Sequence, residues 1–91
     1  MREGEIVKAA LTQVDGKLKY RPALLLKQMP PFGDWLVCGI TSQLKHEVRN
    51  FDLLIDEEDS EFQETGLLTT SLIRLSFLGV ISEIIIEVTM G

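Results

Sequence analysis

The sequence has one cysteine, Cys38, and one histidine, His46. An internal disulfide is therefore excluded, and no second thiol stands ready to build a zinc site with the first. Long apolar runs are missing as well, since nothing approaches the ~20 residues of a membrane-spanning helix. The first ten residues carry Arg2, Glu3, Glu5 and Lys8 without an extended apolar core. A secretory signal is not expected, and the cytoplasm is the expected compartment, with no membrane partner. Long helical periodicity, internal repeats and low-complexity tracts are absent too. Basic residues are scarce in the second half: residues 51–91 hold one Arg against nine acids, a net of −8, whereas residues 1–50 hold eight Lys or Arg against five acids, a net of +3. The overall charge of −5 conceals this division. Long-range steering of a polyanion should be weak, and any nucleic-acid contact must rest on a local patch built by the first half.

What remains in the 91 residues is enough for a single domain, residues 1–91, with one modest core. Short β-rich runs alternate with turn signals. Residues 5–11 have strand length and partial alternation, and Asp15-Gly16 marks a hairpin-like turn into a strand opening on Arg21-Pro22 and ending near Gln28. Pro30, Pro31 and Gly33 make a loop. Residues 35–41 are a nearly continuous apolar strand, residues 42–50 a polar loop, and residues 51–55 a fourth strand. An acidic segment, residues 56–64, has room for one helical turn around Phe62, capped by Asp59 or Ser60 and ended by Gly66. Strand follows around residues 71–74, with Gly79 breaking the run, and residues 82–88 form a last β-branched strand. Five to seven short strands without helices predict an all-β barrel or roll.

Arginine is expensive to bury alone and proline cannot donate to a ladder, so Arg21-Pro22 is expected among a strand's first residues. Thr41, Ser42 and Gln43 end the next strand. If the two strands are antiparallel neighbours, Arg21 and Thr41 share an edge, and a guanidinium beside hydroxyl donors suits a phosphate. Ser71 and Arg74 punctuate a later strand. The same residues also fit a plainer account, in which Arg21 and Arg74 pair with the acidic segment and Thr41-Ser42 closes a turn. Cys38, among apolar neighbours, is expected to be a small core residue with a raised thiol pKa. His46 reads as solvated, as does the acidic run Asp56-Glu57-Glu58-Asp59, which lacks the spacing of a calcium loop. Trp35 and Phe32 suit either packing or base stacking.

The ordered series Gly4-Glu5-Ile6-Val7, Asp15-Gly16-Lys17 leading to Arg21-Pro22-Ala23-Leu24-Leu25-Leu26, Ile40-Thr41-Ser42-Gln43, and Thr65-Gly66-Leu67 with Ser71-Leu72-Ile73-Arg74 resembles the PemK/MazF-like toxins of prokaryotic toxin–antitoxin systems. The likeness extends over roughly residues 4–81. It implies a small SH3-like β-barrel, commonly a homodimer, that cuts single-stranded RNA without a metal or other cofactor. The implied reaction is attack by the RNA 2′-hydroxyl on the adjacent phosphorus, leaving a 2′,3′-cyclic phosphate and a 5′-hydroxyl. By position Arg21 matches the catalytic arginine and Thr41 the hydroxyl residue that assists it. Lys17, Lys19, Ser42, Gln43, Ser71 and Arg74 are the expected substrate-binding residues. Ser71 lies where several members place an acid, so an acid/base role is not carried over. Family members continue into a C-terminal helix; here residues 84–88 lead directly to Gly91, and that helix is expected to be missing.

The expectation is thus a toxin-like endoribonuclease neutralised by a cognate antitoxin protein. The alternative is a catalytically degenerate SH3-like barrel that serves as a protein-interaction module.

Overall fold

The computed structural model describes residues 1–91, with Val88 described by its backbone alone. Six antiparallel strands form one sheet: β1 (Ile6–Thr12), β2 (Leu18–Met29), β3 (Asp34–Thr41), β4 (Leu53–Ile55), β5 (Ser71–Ile81) and β6 (Ile86–Thr89), in the spatial order β4-β5-β3-β2-β1-β6. The remaining regular structure is three short 3₁₀ turns, so the all-β class expected from the sequence is the class observed. The order is open. β4 and β6 are its edges, and no ladder joins them among the described residues. No helix is long and apolar enough to cross a membrane.

Period-two patterning builds the core. Val7, Ala9 and Leu11 of β1, Ala23 and Leu25 of β2, and Trp35 and Val37 of β3 occupy one face and form a single buried cluster, against which Ile81 and Ile86 pack. The alternate residues of those strands face the other way. Ile6 and Ile40 join Phe62 and Leu67 in a second cluster, flanked by Leu24, Ile55, Ile73 and Met90. Burying each such side chain contributes roughly 1.5–3 kcal/mol. The 3₁₀ turn Phe62–Thr65 therefore serves as a lid on the second face, and Gly66 ends it in the left-handed conformation at φ 74°.

The hairpin between β1 and β2 forms at Asp15-Gly16 as expected. Gly16 takes φ 83°, the Asp15 carboxylate accepts from the Lys17 N–H at 2.9 Å, and the Gln13 N–H donates to the Lys17 carbonyl at 2.8 Å.

Several details depart from the sequence reading. β2 begins at Leu18, so Arg21 and Pro22 lie inside a strand and not at its first residues. Proline is tolerated there because Pro22 faces Lys8 of β1, while the ladder to β3 begins only at Ala23; this stretch of β2 is paired on one side. Gly79 does not break β5 but sits within it opposite Val37. The fourth strand is reduced to Leu53–Ile55 because Phe51 and Asp52 belong to the preceding turn, and residues 83–85 form a 3₁₀ turn before β6. Neither Asp59 nor Ser60 caps the 3₁₀ turn at Phe62; Glu61 holds that position without a side-chain bond.

Gly66 and Gly79 test two backbone requirements of this fold. A Cβ on Gly66 would collide with the Met90 carbonyl at a positive φ, whereas a Cβ on Gly79 meets nothing within 4 Å. Gly66→Ala should destabilise the protein by about 1–3 kcal/mol in urea unfolding, and Gly79→Ala should stay within about 1 kcal/mol of wild type. Equal stabilities of the two variants would contradict the assigned role of Gly66.

Candidate functional site

The ladders on both sides of β3 assemble the site. β2 pairs with β3 at Ala23 opposite Gly39, and continuing that antiparallel register brings Arg21 level with Thr41. On the other side Gly39 faces Arg74 and Thr41 faces Leu72. Arg21, Gly39 and Thr41 share the face that carries Ala23, Leu25 and Val37, so the site is the polar end of a row that is apolar further along.

Two hollows meet at this end. The first, about 110 Å³, is lined by Arg21, Thr41, Gln43, His46, Arg74 and Phe77, among others. The second, about 220 Å³, is lined by Arg21 and Thr41 again, with Ser42, Ser71, Leu68 and Met90. Arg21 and Thr41 thus stand on the rim between them. Among the described residues no carboxylate lines either hollow, although the chain carries a net charge of −5.

The hydrogen bonding suits an anion. The Thr41 hydroxyl oxygen accepts from the Gln43 N–H at 3.1 Å, which leaves its own proton free to donate outward. The Nε of Arg74 is buried and has no hydrogen-bond partner among the described residues, while the guanidinium carbon lies 5.4 Å from the centre of the Phe77 ring. A cation held over an aromatic face is attracted to it without using its hydrogen-bond donors. Ser71 is placed differently from Thr41. It is buried, and its hydroxyl donates to the Thr69 carbonyl at 2.9 Å, so its proton is already engaged.

Of the eight residues expected at the site, six line the two hollows: Arg21, Thr41, Ser42, Gln43, Ser71 and Arg74. Lys17 lies in the β1–β2 turn and Lys19 on β2 opposite Leu11; neither reaches the hollows. His46, read from the sequence as solvated, is exposed but lines the first hollow from the 3₁₀ turn Leu44–His46. Phe32 is exposed and Trp35 is packed in the core, its indole N–H 3.5 Å from the Glu83 carboxylate. Cys38 is fully buried, and burial pushes its thiol up to about 11 against the hydrogen bonds at its own backbone and that of Leu24, which removes it as a nucleophile near neutrality. Among the described residues no group of three or more His, Cys, Asp or Glu could hold a metal ion.

Two contributors escaped the sequence reading, Phe77 and Asp52. Asp52 is buried, and its carboxylate accepts from the Val48 N–H at 2.9 Å, the Ser76 N–H at 3.0 Å and the Ser76 hydroxyl at 3.1 Å. The sequence carried no clear signal for it, because an acid between Phe51 and Leu53 fits the polar position of an alternating strand. Burial alone would raise this carboxyl. The three donors, together with the charge of Arg74, outweigh burial and hold it below the usual carboxylate range.

A depressed native value means that the unfolded chain takes up this proton first. The contribution of Asp52 is full above the unfolded value of ~3.9 and is lost as pH falls through it toward the lower native value. The urea midpoint of the wild type should therefore fall more steeply than that of Asp52→Asn between about pH 5 and pH 2. Parallel curves for the two proteins would remove this assignment.

No protein-family model matches the chain, and no curated protein matches it at a significant level.

Proposed function

We propose that the chain is a toxin-type endoribonuclease of the PemK/MazF kind on an SH3-like sheet, cutting single-stranded RNA by attack of the 2′-hydroxyl without a metal. The observation that carries this reading is the carboxylate-free rim where Arg21 and Thr41 meet, with Arg74 behind it, in a chain that is acidic overall. Internal transesterification requires removal of the 2′ proton, stabilisation of charge on the pentacoordinate phosphorus and protonation of the 5′-oxygen. Arg21 and the outward proton of Thr41 supply donors to the phosphorus oxygens. Arg74, whose Nε lacks a partner, adds a second cation on the same side. Arginine is a poor proton carrier, because a guanidinium holds its proton too tightly to exchange it during turnover. The imidazole of His46, on the lining of the same hollow, is the group there best able to take or give a proton. Bases on either side of the scissile phosphate occupy the two hollows. A cognate antitoxin peptide covering the rim would silence the enzyme by displacing RNA, and a second copy of the chain completes the expected homodimer.

Purified protein should cleave single-stranded RNA in EDTA and leave 2′,3′-cyclic phosphate ends detectable by mass spectrometry, while an oligonucleotide with 2′-deoxyribose at the cleavage position stays intact. Arg21→Ala should lower kcat about 10²- to 10³-fold, as loss of one preorganised donor does, and Thr41→Val should also reduce it. Failure of the antitoxin-free protein to cut any member of a varied RNA pool would sink the ribonuclease reading. It would leave a non-catalytic interaction module, for which the exposed Leu53 and Leu54 of edge strand β4 offer a surface.

A further inference from the structure

We propose that Asp52 is the positioning residue of the site, acting through a bulge in β5 that sets both Arg74 and Phe77. On β3, Cys38 and Gly39 are adjacent, yet their β5 partners are Leu78 and Arg74. Leu75, Ser76 and Phe77 are left without partners on β3, and the ladder from β4 stops at Ile73. A bulge of this size leaves strand N–H groups without ladder acceptors, and a buried one is costly. Asp52 takes the place of the missing strand. One carboxylate oxygen accepts from the Ser76 N–H at 3.0 Å and the Ser76 hydroxyl at 3.1 Å, and the other accepts from the Val48 N–H at 2.9 Å. The bulge is thereby tied to the turn before β4.

The bulge has two visible products at the hollow. Phe77 is carried across Gly39, where its ring edge would come within 3.2 Å of a Cβ that glycine lacks. Arg74, the last paired residue before the bulge, lies over that ring with its Nε buried and unpartnered. Asp52 itself does not line the hollow; it reaches the hollow through its bonds to Ser76 and through its charge on Arg74, and Ser76→Ala isolates the first of these routes. The placement of Phe77 and Arg74 stands on geometry; its use in RNA cleavage rests on the ribonuclease reading above.

Asp52→Asn removes the charge and puts a donor where the Val48 N–H or Ser76 now donates. Ser76→Ala deletes only the hydroxyl bonds and keeps the backbone N–H bond, so it covers the case in which Asp52→Asn fails to fold. Ser76→Thr retains the hydroxyl. In two-dimensional NMR of the intact chain, the Gly39 α-protons should carry a ring-current shift from Phe77. That shift should shrink in Ser76→Ala and in Asp52→Asn and persist in Ser76→Thr, while the signals of Val7 and Leu25 stay in place. Cleavage measured on the same samples should fall about tenfold in kcat/KM for Ser76→Ala, the worth of one buried hydrogen bond, with Ser76→Thr near wild type. Gly39 shifts that are identical in wild type and Ser76→Ala, or a Ser76→Thr that behaves like Ser76→Ala, would overturn the positioning role. Wild-type protein that cuts no RNA while the Gly39 shifts respond as stated would sink the ribonuclease reading and leave the positioning role standing.

Discussion

Strand β3 is paired on both sides, and its registers with β2 and β5 are the constraint on which the rest of the molecule depends. The rungs that bury Leu25 against Val37 end at Ala23 opposite Gly39, and the same register carried past that last rung, without change of face, brings Arg21 level with Thr41. A slip of one residue would exchange the two faces of the strand, turning Arg21 away from Thr41 and Leu25 out of the core together. Core and site are therefore consecutive parts of one row. The apolar end supplies the free energy that holds the polar end in register, and the first cation of the site does not depend on a flexible loop.

Electrostatic character comes from sorting and not from total charge. The acids of the second half are concentrated in the exposed run at residues 56–64, and the lining of the two hollows contains none of them. Asp52 is the exception in burial, and it is compensated by three hydrogen-bond donors and by the neighbouring Arg74 charge. A polyanion at such a site would be held at contact distance by two guanidiniums and a hydroxyl, since the field of the whole molecule adds little attraction.

The features legible in the sequence are those fixed by short-range physics. Partial alternation announced β1, a continuous apolar run of strand length announced β3, Asp15-Gly16 announced the hairpin, and Gly66 announced the end of the turn at Phe62, because each is a signal carried by adjacent residues. The meeting of Arg21 with Thr41 was legible as well, since a hairpin-connected antiparallel pair leaves few alternatives. The bulge in β5 was not. A run such as Leu75-Ser76-Phe77 looks like ordinary strand until its lost partners are known, and the residue that compensates them, Asp52, lies 24 positions earlier. Pro22 misled for a related reason: its position looks like a strand boundary unless one knows that β2 is paired on one side there. His46 and Phe77 reach the site through a 3₁₀ turn and a bulge, two irregularities that carry no periodic signature.

The sharing of Arg21 and Thr41 by two hollows carries a thermodynamic consequence. Two separate small anions placed one in each hollow would compete for the same guanidinium, so occupancy of one side lowers affinity on the other. A single chain whose charge lies between two bulky groups meets no such conflict, because its anion sits on the rim and its flanks fill both sides at once. On the proposed reading, the rim would therefore favour joined ligands over separate ones, before any base or side chain is read.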